Sequence, residues 1–136
     1  MKKLLTILCL VLLVSCSNEV NEVPSHRLIE NGGMTYEIGS NNPFTGVSVN
    51  YKNGQIKERK TFKDGVQEGL WEKYRYYDNG QLWETENYKD GKRDGLWEWY
   101  RENGQLFSRE NFKDGVPEGL PESFDQEGNL IRTRFF

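Results

Sequence analysis

The chain has 136 residues with 18 basic and 21 acidic side chains, a net charge of −3, and only 35% hydrophobic residues. With no basic stripe, that balance argues against a nucleic-acid partner. A single histidine, His26, and two cysteines, Cys9 and Cys16, give no basis for a Ser/His/Asp triad or a zinc site.

Lys2 and Lys3 precede an apolar run from Leu4 to Val14, eleven residues long, against the ~20 that a membrane-spanning helix requires. The run predicts an export signal over residues 1–15. It closes on Leu13-Val14-Ser15-Cys16, which resembles the bacterial lipobox. The resemblance implies that the Cys16 sulfur receives a diacylglycerol and that the peptide before it is removed. The alternative is an ordinary secretory signal with a chance cysteine. Processing leaves 121 residues, 16 basic against 21 acidic side chains, and Cys16 as the only cysteine. An intramolecular disulfide is then impossible, and stacked structure plus an acyl anchor must supply stability. At about 0.8 kcal/mol per buried methylene, two or three acyl chains would hold a domain on a bilayer. By resemblance to Gram-negative sorting rules, Ser17 after the cysteine implies the outer membrane or cell surface.

Residues 16–27 begin at this cysteine and are polar without hydrophobic period, which predicts a flexible tether. Residues 28–45, with turn signals at Asn31-Gly32-Gly33 and Asn41-Asn42-Pro43, predict capping strands at the N-terminal end. Beyond them the sequence repeats. A glycine, a polar residue and an aliphatic residue are followed, eleven residues after the glycine, by the end of an aromatic-Lys-Asp-Gly turn. The copies run from Gly54 to Gly65, Gly80 to Gly91 and Gly104 to Gly115, and a fourth from Gly128 to Phe136 lacks that turn. The periods of 26, 24 and 24 residues define units 46–68, 69–94, 95–118 and a truncated 119–136. Tandem units of this length complete one another's burial, so function is expected over a surface rather than in a catalytic pocket.

Each unit has two extended, aromatic-rich segments bounded by glycine turns, such as Leu96 to Tyr100 and Gln105 to Lys113. Asn53-Gly54, Asn79-Gly80 and Asn103-Gly104 suit the two positive-φ positions of a type I′ hairpin turn, and Asp64-Gly65, Asp90-Gly91 and Asp114-Gly115 repeat that chemistry on the return side. The product is an all-β, elongated, twisted antiparallel meander of tandem hairpins. Extra residues around Arg75-Tyr76-Tyr77 predict a bulge or longer loop. Leu82 and Tyr88 share a face with Glu84 and Glu86 between them, and a face so mixed predicts a thin sheet carried by aromatic stripes. The carboxylate pair itself is read as solvated.

Gly69-Leu70-Trp71 with Tyr74, Gly95-Leu96-Trp97 with Tyr100, the Asn-Gly-Gln-Leu hairpins and the aromatic-Lys-Asp-Gly closures resemble the MORN repeat variant. This is the bacterial form of the membrane occupation and recognition nexus repeat, often found in YwqK-type antitoxins of toxin-antitoxin systems. The resemblance covers about residues 28–136 and implies a repeat scaffold whose partner varies. Two departures stand out: Val47 to Tyr51 lacks the tryptophan, and Pro121 stands where Trp71 and Trp97 stand. Proline donates no ladder hydrogen bond, so its strand should lie where pairing ends.

The candidate binding residues are Trp71, Tyr74, Tyr77, Trp83, Trp97, Trp99 and Tyr100. Most are expected to fill the sheet's only core. Trp83 and Trp99 replace Lys57 and Val49 or Asn50 of the first copy, which makes them the better candidates for exposed contact. The turns at Asp64, Asp90 and Asp114 offer one carboxylate each, short of the 6 to 8 oxygens calcium takes, so neither a metal nor a cofactor is expected. The sequence therefore predicts a non-catalytic, lipid-anchored module that binds a protein. A glycan or cell-wall ligand, or a toxin in an antitoxin or immunity-like role, is the alternative.

Overall fold

The computed structural model describes residues 20–74 and 80–131. Cys16 and the export segment, Tyr77 with the extra residues around it, and Phe136 fall outside these. The strands are β1 (Glu22–Pro24), β2 (Leu28–Asn31), β3 (Met34–Glu37), β4 (Gly46–Lys52), β5 (Gln55–Lys63), β6 (Val66–Tyr74), β7 (Leu82–Lys89), β8 (Lys92–Tyr100), β9 (Leu106–Lys113), β10 (Val116–Phe124) and β11 (Leu130–Ile131). From β4 to β11 each strand pairs antiparallel with the next, giving one long meander with β1 on its first edge. The expected all-β hairpin array is therefore present.

The Asp-Gly turns join β5 to β6, β7 to β8 and β9 to β10. Asp64, Asp90 and Asp114 have φ of 49°, 49° and 50°, and their glycines are also positive, the type I′ signature. A type I′ turn leaves its second N–H free of the hairpin, and here that group reaches the previous unit. Gly65 donates to the Phe44 carbonyl at 2.8 Å, Gly91 to Gln67 at 3.0 Å and Gly115 to Arg93 at 2.8 Å. The Asp N–H groups do the same toward side chains, Asp64 to Thr45 Oγ1, Asp90 to Glu68 Oε2 and Asp114 to Asp94 Oδ2. These bonds dock each unit on the one before it.

The opposite row of turns is less uniform than expected. Asn53-Gly54 has both φ angles positive, at 52° and 77°. At Asn103-Gly104 only the glycine does. Gly104 donates to Arg101 O, and Arg101 N–H donates to Gln105 O, a three-residue loop closed by a glycine bulge. The Asn103 side chain accepts from Gln105 N–H at 3.1 Å, which stabilises this alternative locally. The Asp125 to Asn129 turn uses the same scheme.

Gly69, Gly95 and Gly119 are not turns between segments, as the sequence suggested, but bulges inside continuous strands. Across the β5/β6 pair, Phe62 and Lys60 oppose Gln67 and Trp71. Thr61 alone on one strand faces Glu68, Gly69 and Leu70 on the other, and the same slip of two residues recurs between β7 and β8 and between β9 and β10. The positive φ at the glycines, 88°, 106° and 82°, absorbs the extra length. In β10 the slip lies between Glu118 and Glu122 and spans Pro121, and among the described residues β11 pairs with Ser123 and Phe124.

The N-terminal segment departs from expectation. Residues 22–24, read as tether, form β1 and pair parallel with β4, burying Val23. Ser25–Arg27 form a 3-10 turn. Glu22 and Arg59 form an ion pair across this edge. The β2–β3 hairpin is a separate two-stranded sheet that caps the first turn rather than the sheet edge. Thr35 N–H donates to Gly65 O at 2.8 Å, and Phe44 N–H to Thr35 O. Phe44 is buried against Phe62, ring centroids 5.9 Å apart.

Candidate functional site

Paired residues of antiparallel strands put their side chains on the same face. The register therefore gathers Glu58 and Lys60 of β5, Trp71 and Lys73 of β6, Glu84 and Glu86 of β7, and Trp97 and Trp99 of β8 on one side of the sheet. Glu84 and Glu86, read from sequence as solvated, are instead 4% and 1% exposed. Their neighbours explain why. Glu86 accepts from Lys73 Nζ at 2.6 Å, Arg93 Nε at 2.7 Å and the Tyr88 hydroxyl at 2.9 Å. Glu84 accepts from Lys73 at 3.1 Å and from Trp97 Nε1 at 2.5 Å. A buried carboxylate with this many donors is satisfied, whereas a lone one would not be.

Burial alone would raise the Glu86 pKa, but the bonds from Lys73, Arg93 and Tyr88 outweigh it and hold the carboxyl below its ordinary value. Burial opposes the charge on Lys73 too, yet its bonds to Glu86 and Glu84 keep it above the usual lysine value. Tyr88 is pushed up to about 12, first by burial and then by the Glu86 charge. Aromatic rings close the network from the sides. Lys73 Nζ lies 4.0 Å from the Trp71 ring centroid, and the Arg93 guanidinium lies 3.7 Å from that of Trp97.

Trp71 and Trp97 are thus half-buried and engaged within the sheet. Each indole donates to the glutamate thirteen residues earlier, Trp71 to Glu58 and Trp97 to Glu84. The third copy loses both partners together, with Pro121 in place of the tryptophan and Ser108 in place of the glutamate. Tyr74 lies half-buried at the end of β6, with burial first and the Glu72 charge second raising its pKa. Tyr77 lies outside the described residues.

Trp83, Trp99 and Tyr100 come together. With Arg101, Phe107 and Ser108 they line an open cleft of about 470 Å³. The register explains its shape. Lys73 pairs with Glu84 and Tyr74 with Leu82, leaving Trp83 as an extra residue in β7; in β9 the extra residue is Phe107, between Leu106 and Ser108. Such one-residue bulges re-aim a side chain. The corresponding position in the first copy is Lys57. Trp99 stands where the second unit has Lys73, and its ring packs on Trp97 with centroids 4.3 Å apart. Ser108, small where Glu58 and Glu84 stand, leaves room beside it. Phe107 is 46% exposed.

The sequence had singled out Trp83, Trp99 and Tyr100, but not Phe107, Arg101 or Ser108. Comparing copies column by column would have found Phe107, which shares the Trp83 column three residues after the hairpin glycine. Arg101 carried no such signal. Among the described residues, no group of three His, Cys, Asp or Glu side chains is arranged to hold a metal ion, and no helix is long and apolar enough to cross a membrane.

The family described as MORN repeat variant matches residues 47–64, 67–90 and 93–114. These segments begin at β4, β6 and β8 and end at the three Asp-Gly turns. No curated protein and no solved structure matches the chain.

Proposed function

With residues 47–114 built from three MORN repeat variants, we propose that the chain is a non-catalytic module that recognises another protein at a bacterial envelope membrane, held there by acylated Cys16. The observation that carries this reading is the cleft of Trp83, Trp99 and Phe107. It forms where the copies depart from one another, whereas the features they share are used up in turns and interior. Repeat scaffolds commonly place recognition on such variable positions. Exposed aromatic residues also supply most of the binding energy at protein interfaces.

The anchoring part of the proposal rests on the charge, apolar run and cysteine of residues 2–16. Mass spectrometry of the processed protein should find fatty acid on Cys16, and Cys16→Ala should move the protein from the membrane fraction to the soluble one. For recognition, affinity capture from envelope membranes should recover a protein that is lost with the Trp83→Ala, Phe107→Ala pair. Capture that is unchanged by that pair refutes the role given to the cleft. A toxin is one class of partner, and increased sensitivity to neighbouring cells on loss of the gene is its test.

Trp83 and Trp99 also offer surfaces on which a sugar ring stacks. Sugar sites add several polar groups directed at hydroxyls, and here the cleft contributes Arg101 and Ser108, while the Tyr100 hydroxyl is already engaged with Glu98 at 3.0 Å. The composition of the cleft favours a polypeptide.

A further inference from the structure

Five arginines with described side chains carry the ionic chemistry of the sheet, and one differs from the rest. Arg27, Arg59, Arg93 and Arg109 each pair with a carboxylate. Arg101 has none within ion-pair distance among the described residues. Its guanidinium lies 4.7 Å from the Phe107 ring centroid, and one Nη donates to the Phe124 carbonyl at 2.6 Å. Its Nε is buried without a hydrogen-bond partner. The stacking and the single carbonyl bond hold the guanidinium in place and leave most of its five N–H donors unused. This cation lines the same cleft as Trp83, Trp99 and Phe107.

Resting on the protein-recognition reading above, we infer that the cleft takes an aromatic side chain of a partner polypeptide with a carboxylate beside it. The ring lies against the indoles and Phe107, and the carboxylate sits on Arg101. The volume of about 470 Å³ accommodates one such side chain and its neighbour rather than a folded element. The aromatic walls supply area, while the arginine supplies direction because an Arg–carboxylate pair is charge-assisted and bidentate. A neutral apolar residue would leave the Arg101 donors desolvated and unpaired, so the charge complementarity discriminates as well as attracts.

The test uses the full chain, 15N-labelled, and four acetylated, amidated tetrapeptides: Gly-Asp-Phe-Gly, its Asn-for-Asp and Leu-for-Phe counterparts, and the doubly changed one. The four indole resonances report separately on the cleft and the interior. Expected are shifts at Trp83 and Trp99 with little change at Trp71, and an acidic aromatic peptide that binds about tenfold tighter than its amide counterpart, as one partly exposed charge-assisted pair supplies. Arg101→Gln should bring the two peptides level, and Arg101→Lys should keep part of the difference. Thermal melts of both variants establish that they are folded, and the native protein's salt dependence gives the same answer without mutation.

Equal affinity for the acidic and amide peptides overturns the inference while leaving protein recognition standing. Absence of any shift at Trp83 and Trp99 with all four peptides overturns it as well. If galacturonate moves those two resonances when no peptide does, the inference and the protein-recognition reading both fall.

Discussion

Replacing Glu86 with Gln keeps the shape of the side chain and removes the charge on which the middle of the sheet converges. Glu86 is 1% exposed and holds Lys73, which is 24% exposed, and Arg93, which is 35% exposed. Removing one partner of a fully buried ion pair costs ~3–5 kcal/mol. Lys73 retains Glu84 at 3.1 Å and both cations reach solvent, so the expected loss is about 2–3 kcal/mol. For a domain of this size that lowers the melting temperature by roughly 8–15 °C. Thermal and urea unfolding both measure it. The acid limb supplies a check of sign. The folded pKa of Glu86 lies below its ordinary 4.5, so its contribution is complete above that pH and disappears as pH falls through the folded value. Glu86→Gln should therefore flatten the acid limb of stability as well as lower the plateau. Replacing the whole cluster, Lys73→Met with Glu84→Gln, Glu86→Leu and Arg93→Leu, should restore most of the loss, because no uncompensated charge remains and the amide at position 84 still accepts from Trp97. A Glu86→Gln protein within about 0.5 kcal/mol of the parent, the size of an ordinary surface substitution, would refute the reasoning.

Further tests probe other links. Trp97→Phe removes the donor to buried Glu84 and should cost about 1–3 kcal/mol; Trp71→Phe, whose acceptor Glu58 is more exposed, should cost less, at most about 1 kcal/mol. In an ultraviolet titration of the seven tyrosines, one should lag to about pH 12 and vanish in Tyr88→Phe. Since that folded pKa lies above the ordinary 10.0, the stability it contributes is complete below pH 10 and lost as pH rises through 12. A Cβ on Gly46, at φ +152°, would lie 2.4 Å from the Asn21 carbonyl oxygen. Gly46→Ala should thus release β1, seen as faster hydrogen exchange at Val47, whose N–H donates to Asn21 O, at a cost of about 1–3 kcal/mol.

The repeat and its Asp-Gly turns were legible because turn chemistry is local: an Asp-Gly pair between two extended aromatic segments has few other uses. What escaped depends on partners distant in sequence. Three residues, Glu22–Pro24, form β1 because β4 offers an unpaired edge, not because Glu-Val-Pro favours a strand. Gly69, Gly95 and Gly119 looked like turns, since only pairing on both sides distinguishes a bulge from a turn. Tyr88, Glu86 and Glu84 do share a face, as their even spacing predicted. The Trp83 bulge turns Leu82 to the other one, since Leu82 pairs with Tyr74 while Glu84 pairs with its neighbour Lys73. The burial of the two glutamates depended on Lys73 and Arg93, whose cross-strand positions follow from bulges the sequence did not disclose. The cleft was half visible: two tryptophans out of register with the other copies pointed to it. Phe107 needed a column-wise comparison, and Arg101 needed the geometry of its missing counter-charge.

The N–H groups of the Asp-Gly turns all point one way. Each turn donates to acceptors that precede it in the chain, Thr45, Glu68 and Asp94 for the side chains and Phe44, Gln67 and Arg93 for the carbonyls. A chain exported as proposed above reaches its folding compartment N-terminus first, so every hairpin emerges onto a neighbour whose acceptors are already in place. Assembly of the sheet is thereby vectorial, a ratchet seeded by the Phe44 cap, and a lesion near the start should strand every later hairpin while one near the end leaves its predecessors intact.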